Sequence, residues 1–264
     1  MSLMAPVVSP AQAVNDSLAE LRAIDVEEHS GEIIPLDLRF RNEEGDTVTL
    51  GQYFSQGRPV ILILAYYECP MLCTLVLNGI TQSVYNMDLE LGKDYNMITV
   101  SIDPTETPEL AAAKKRTHLR MLEQENNTEG WHFLVGDQKN IKSLADAIGF
   151  KYYYVEDRDE FAHPTIVTLL TDKGKISRYL YGIEYKPFDV KLGLLEAAKG
   201  NVGSTVDRII LYCYHYDPDA KGYTVVAANV MTIGGAITLV LLFIFLGLLW
   251  IKDIRKRNLN ISKN

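Results

Sequence analysis

The apolar and polar positions of this chain change period repeatedly along its length. Residues 58–67, "RPVILILAYY", form a short run rich in branched side chains, which predicts a strand buried on both faces. "TLVLNGITQSVYNMDLEL" follows with apolar residues at helical spacing, and a second buried strand is predicted in "YNMITVSI" (95–102), ending at Asp103-Pro104. "TETPELAAAKKRTHLRML" then starts a helix with Thr107 as N-cap, Pro108 at the first helical position and Glu109 in the first turn. Beyond it come a strand in "WHFLVG" and a helix in "QKNIKSLADAIG" closed by Gly149. Two strands, "TIVTLLT" and "KISRYLYG", are joined by the turn Asp172-Lys173-Gly174-Lys175, and the amphipathic helix "KPFDVKLGLLEAAKG" ends near Gly200. One segment loses its polar positions altogether: no charged side chain occurs from Gly222 to Ile251. At about 1.5 Å per residue, the stretch 230–251 covers a bilayer interior of roughly 30 Å, which predicts a transmembrane helix.

Alternating strands and helices, then a hairpin and a final helix, are the order of a thioredoxin-like α/β domain with a central mixed sheet, placed at residues 30–200. The preceding "SGEIIPLDLRFRNEEGDTVTLGQYF" looks like the N-terminal hairpin of the peroxiredoxin-like variant of that fold. The rest divides into 1–13, read as the remnant of a signal peptide ending in Ala11-Gln12-Ala13, and an N-terminal segment 14–29. A juxtamembrane segment 201–222, a membrane span 223–251 and a basic tail 252–264 complete the chain.

Charge sharpens this division. The net charge is −8, but the last thirteen residues hold five basic side chains and one acidic, leaving −12 on the remainder. An acidic main domain excludes nucleic acid as a partner. Lys252, Arg255, Lys256 and Arg257 follow the apolar run directly, so the positive-inside rule puts the C-terminus in the cytoplasm and the thioredoxin-like domain on the extracytoplasmic side of the cell membrane.

The candidate chemistry lies in "LAYYECPMLCTLVLNGI", where Cys69 and Cys73 sit four positions apart at the handover from strand to helix. Backbone amides at a helix N-terminus favour thiolate over thiol. Low thiol pKa serves both disulfide exchange and soft-metal binding. Three intervening residues place the sulfurs about one helical turn apart, a spacing that one chelated ion bridges, and a bent first turn also permits a disulfide. In this fold the loop before the hairpin faces the cysteines, and its proline is often cis. That loop is "DEFAHPTIVTLL", so His163, followed by Pro164, would complete a Cys-Cys-His set suited to Cu(I) through the thiolates and Cu(II) through the added imidazole. His29, His118 and His132 are read as solvated or locally bonded, with His118 on an exposed helix face. Cys213 and His215, among Tyr212, Tyr214 and Tyr216, form either a second copper contact or part of an interfacial aromatic belt, the belt being the preferred reading.

With "CPMLC", "VSIDPTETPELAAAKK" and the histidine before the hairpin assembled, the chain resembles the Sco/SenC family of membrane-anchored copper chaperones that assist cytochrome c oxidase assembly. The resemblance spans roughly residues 30–200. It implies copper ligation by Cys69, Cys73 and His163, with Asp103 near the site, and an oxidase subunit with a binuclear copper site as acceptor, served by a copper donor protein. Relatives commonly carry aspartate after the Cys-Pro and proline after the second cysteine, where this chain has Met71 and Thr74. The alternative function is a membrane-tethered thiol-disulfide oxidoreductase, for which Cys69 and Cys73 would be a redox-active pair and His163 dispensable. A thiol peroxidase is disfavoured, because no threonine and arginine set flanks Cys69 and Glu68 opposes thiolate formation there.

Overall fold

The computed structural model describes residues 26–54, 57–69, 72–124, 129–198, 214–217, 222–225 and 227–261. The chain divides into two compact units, Met1–Asp207 and Arg208–Asn264.

The first unit opens with a hairpin, β1 (Arg39–Arg41) and β2 (Thr47–Thr49), and a 3-10 turn. Then come β3 (Val60–Ala65), α1 (Leu72–Tyr85), β4 (Asn96–Ser101), α2 (Pro108–Met121), β5 (Trp131–Leu134) and α3 (Gln138–Ala147). A small hairpin, β6 (Tyr153–Val155) and β7 (Glu160–Ala162), precedes β8 (Ile166–Leu170), β9 (Ile176–Tyr181) and α4 (Pro187–Ala197). The sheet has the order β5-β4-β3-β8-β9, with β3, β4 and β5 parallel and β8 and β9 antiparallel additions. This is the thioredoxin-like arrangement the element order predicted.

Every residue of β3, β4 and β8 is buried, as expected of predominantly apolar strands covered on both faces, with Asn96, Thr99, Ser101 and Thr168 the polar residues carried inside. Ala65↔Ser101 is the last rung between β3 and β4, so the chain leaves both strands at the same carboxyl edge. Thr107 caps α2 by accepting from Leu110 N–H at 3.4 Å, with Pro108 at N1. Gly149 closes α3 at φ +65°, and a Cβ there would sit 1.7 Å from the Glu27 carbonyl oxygen.

The structure corrects the reading of His118. It is 3 % exposed rather than solvated, tilted against Trp131 at 5.4 Å and stacked on Phe133 at 6.0 Å, with Nδ1 3.0 Å from Thr81 Oγ1. Helical spacing explains it. Ala111, Lys115, His118 and Leu119 share the buried face of α2, so two side chains that look like surface residues are carried inward. Lys115 is buried against Glu43, whose other oxygen accepts from Phe133 N–H at 3.2 Å and whose carboxylate also lies 3.4 Å from His132 Nδ1. His132 bonds locally, to the Glu129 carbonyl, whereas His29 meets the Ala147 carbonyl 118 residues away.

The second unit contains the hairpin β10 (Tyr214–Asp217) and β11 (Gly222–Val225) and the helix α5 (Ala227–Ile261). The helix starts at Ala227, not 223, because "GYTV" is rich in aromatic and branched residues and pairs as a strand, Tyr216 opposite Tyr223. It also continues through the basic residues to Ile261. Asn229–Leu248, with mean hydropathy 2.4 and its apolar side chains exposed, is long and apolar enough to span a membrane.

Candidate functional site

The site forms where β3 ends. Cys69 lies in the turn beyond it and Cys73 in the first turn of α1, and both are buried, unbridged thiols. The helix start is used directly: Cys73 N–H donates to Cys69 Sγ at 3.3 Å, and Thr74 Oγ1 donates to the Cys69 carbonyl at 3.3 Å. Cys69 thus takes the place of an N-cap side chain, with sulfur as the acceptor. Thr74, standing where relatives carry proline, ties the same turn by its hydroxyl. Cys73 Sγ in turn accepts from Tyr66 N–H at 3.4 Å.

His163 arrives from the strand-preceding loop on the other side of β3. Its Nε2 lies 2.9 Å from Cys73 Sγ, and its Nδ1 lies 2.9 Å from the Pro164 carbonyl. A carbonyl only accepts, so Nδ1 carries the proton and Nε2 presents its lone pair to the sulfurs. The His163–Pro164 bond is trans, since no cis peptide bond occurs among the described residues. The imidazole nevertheless faces the thiols. It is held between Phe150, stacked at 5.9 Å, and Tyr66, edge-on at 6.1 Å, and is 5 % exposed.

These contacts split the two thiols electrostatically. Cys69 is held well below the ordinary thiol range, first by a hydrogen bond from the Cys73 thiol, with the Tyr66 hydroxyl and the Cys73 amide adding to it. Burial, and the negative sulfur beside it, push Cys73 up. The reduced site therefore holds one thiolate and one thiol.

Glu106 and Tyr66 were not singled out from sequence. Glu106 Oε1 accepts from Glu68 N–H, one residue before Cys69, at 2.7 Å, while Oε2 accepts from Ser101 Oγ at 2.5 Å. Burial raises its pKa, against the lowering effect of the Ser101 hydrogen bond. Asp103, expected near the site, organises its own turn by accepting from Thr105 N–H and Oγ1 at 2.8 and 2.6 Å. The carboxylate that bonds the backbone beside Cys69 is that of Glu106. Its signal is the SxDxxE spacing after a buried strand, which is legible only once Ser101 is known to point toward the cysteine loop. Met71 and Cys213 lie outside the described residues, and His215 is placed on β10 opposite Thr224.

Two thiolates and a neutral imidazole suit a soft cation. As they stand, no three His, Cys, Asp or Glu side chains among the described residues are disposed to hold a metal ion. The donors also stand closer than a shared ion would set them. Sulfur and nitrogen at about 2.3 and 2.0 Å from one ion are roughly 3.5 Å apart at tetrahedral or trigonal angles, whereas Cys73 Sγ and His163 Nε2 are 2.9 Å apart. A shared ion would require loss of the thiol proton and an opening of this contact by about 0.6 Å.

Fold and site together define a thioredoxin-like protein with a paired thiol and an imidazole at the sheet's carboxyl edge. The SCO1/SenC family model matches residues 27–189, and the chain belongs to that family. Two crystal structures from Aquifex aeolicus VF5 are similar. One is a "putative electron transfer protein" with TM-score 0.57 and 24 % identity, covering 65 % of this chain and 96 % of its own. The other is a "putative electron transport protein" with TM-score 0.53 and 24 % identity, covering 65 % and 99 %. Arabidopsis thaliana ScoI, crystallised with copper bound, matches at 18 % identity and TM-score 0.47, covering 64 % of this chain and 98 % of its own. The two Aquifex likenesses bear on the fold. No curated protein matches the chain significantly.

Proposed function

We propose that this protein is a membrane-anchored metallochaperone that takes copper as cargo on Cys69, Cys73 and His163 and delivers it to the binuclear copper centre of a respiratory terminal oxidase. The observation that carries the reading is the meeting of His163 Nε2 with the two sulfurs, its other nitrogen committed to a carbonyl. Loading releases the remaining thiol proton, so capture is favoured as pH rises. Family membership and the copper-bound relative support copper as the ion. The apolar helix Asn229–Leu248 supports anchoring, and the basic residues that follow it support a cytoplasmic C-terminus.

The thiolate–thiol asymmetry favours a second reading, a thiol-disulfide oxidoreductase. There the Cys69 thiolate attacks a target disulfide and expels one target thiolate. Cys73 then passes its proton to His163 Nε2 and displaces the second, so that two electrons leave the pair as it becomes a disulfide.

Copper titration of the reduced full chain in detergent separates the readings, comparing wild type with His163→Ala and with Cys69→Ser/Cys73→Ser. The chaperone reading expects one equivalent of copper and a thiolate-to-Cu(II) absorption band that both variants lose. It fails if wild type binds copper no better than the double variant while still reducing protein disulfides.

A further inference from the structure

A cavity of about 480 Å³ lies along the same carboxyl edge of the sheet, at the ends of β4 and β5. Its walls include Arg39, Arg41, Glu106, Asp137 and Asn140. The edge is where ligands bind in open α/β sheets, and the cavity begins one strand, about 5 Å, from the strand that carries the thiols. Glu106 is a shared wall, since its Oε1 holds the amide next to Cys69.

The polar groups in the cavity are unequally committed. Both Glu106 oxygens are occupied internally, by Glu68 N–H and Ser101 Oγ. Both Asp137 oxygens are occupied by Asn140, through its backbone and side-chain nitrogens at 2.8 Å each. The guanidinium groups are different. Arg39 and Arg41 are exposed and flank the buried Phe40, and neither lies in a salt bridge with a described residue; Arg41 makes one weak bond, to the Gly45 carbonyl at 3.5 Å, and its charge also acts on the exposed Glu109 carboxylate. The Arg41 backbone is fixed by paired bonds with Val135 at 2.7 and 2.9 Å, and Arg39 pairs with Thr49 in the same hairpin. The cavity therefore offers an occupant two guanidinium forks beside two carboxylates whose oxygens already accept internal bonds.

We infer that this cavity is a docking pocket for an extended acidic segment of a partner protein, with carboxylates on alternate residues. Arg39 and Arg41 are two positions apart on one strand, so their forks repeat at roughly 6.8 Å, the repeat of alternate side chains in an extended peptide. Planar guanidinium donors match carboxylates in two-bond geometry. The cavity is also much larger than one small anion, and its position seats such a partner beside the thiols. The inference stands whether or not Cys69 and Cys73 carry metal.

The test uses the reduced full chain in neutral detergent micelles at low salt. The probe is a fluorescein-labelled pentapeptide with glutamate at alternate positions, followed by anisotropy, with a glutamine version as control. The expected results are saturable binding of the acidic probe, at least tenfold weaker binding in Arg39→Gln/Arg41→Gln, and unchanged binding in Lys93→Gln. Equal binding by the glutamine peptide, equal loss in the lysine variant, or retention in the arginine variant overturns the inference. Displacement of the probe by inorganic phosphate at equal concentration also overturns it, in favour of a small-anion site. Unchanged circular dichroism of the arginine variant shows that loss of binding is not loss of fold.

Discussion

Replacing Cys73 by alanine removes the largest influence on the Cys69 thiol, the hydrogen bond that helps hold it well below its ordinary value of 9.0. A hydrogen bond to an ionised group contributes about 1.5–3 kcal/mol, and one pKa unit is about 1.4 kcal/mol. The Cys69 midpoint therefore rises by about one to two units in Cys73→Ala. The Tyr66 hydroxyl and the backbone amide of residue 73 still bond the sulfur, so it stays below 9.0. The assay is alkylation of the reduced protein by iodoacetamide across pH, with thiolate absorbance read in parallel. Speed alone is a poor indicator, because a less basic thiolate is a weaker nucleophile by about threefold per unit. The shape of the profile is the indicator. Wild type gives a rate nearly flat from about pH 5 to 8, with one thiolate's absorbance throughout. In Cys73→Ala the rate acquires a midpoint at higher pH, and its plateau rises by about three- to eightfold. A wild-type rate that climbs with a midpoint near 9, or a variant with an unmoved profile, refutes the reasoning.

Burial lowers the His118 pKa from 6.5 to about 4. Below pH 6.5 the unfolded chain takes up a proton there that the folded chain refuses until about pH 4, so stability falls through that window, by about 3 kcal/mol in all. Urea unfolding should show the decline already between pH 6.5 and 5, above most carboxylates, and His118→Gln should flatten it; equal slopes would count against the assignment. Lys115→Met leaves the Glu43 carboxylate buried without its ammonium partner and should cost about 3–5 kcal/mol, most of it recovered in Glu43→Gln/Lys115→Met. A loss below about 1 kcal/mol in the single variant would mean that water replaces the lysine. Gly79→Ala puts a Cβ 2.0 Å from the Ile183 carbonyl oxygen and should lower stability by about 1–3 kcal/mol. Ser83→Ala, four residues along the same helix, deletes a buried hydroxyl with no hydrogen-bond partner among the described residues and should be neutral or stabilising. Thermal melts of the two variants check both, and the same shift in each would sink the distinction.

The elements most legible in the sequence were those whose apolar runs allow one reading. "VILILA" and "NMITVS" had to be two-sided strands, and their order with the helices gave the sheet. Thr107, Pro108 and Gly149 act locally, so their capping and closing roles could be read from neighbours alone. Less legible were features made by distant partners. Nothing near His118 in "KKRTHLRM" signals burial, because the aromatic wall that receives it comes from β5. The hairpin β6–β7, in a run rich in acidic residues and tyrosines, shows its purpose only as the arm that brings Phe161 and His163 to Tyr66. Cys69 and Cys73 could be nominated from their spacing. Glu106 could not be, since its role depends on a turn that folds it back to the Glu68 amide.

The two halves of the thiol site differ in how soon the growing chain possesses them. Cys69 and Cys73 are brought together by one turn of α1, four residues apart, whereas the His163 contact spans ninety residues and requires β8 to pair beside β3. Local helical turns form in about a microsecond or less, while non-local strand pairing waits for the whole intervening segment. At about 5–20 residues per second, synthesis of those ninety residues takes roughly 5–18 s. For that interval the nascent chain carries a dithiol with no imidazole beside it, exposed to oxidants and stray ions. If the proposed role of the site is right, that early pair has to stay reduced and empty until the strand after His163 has been made.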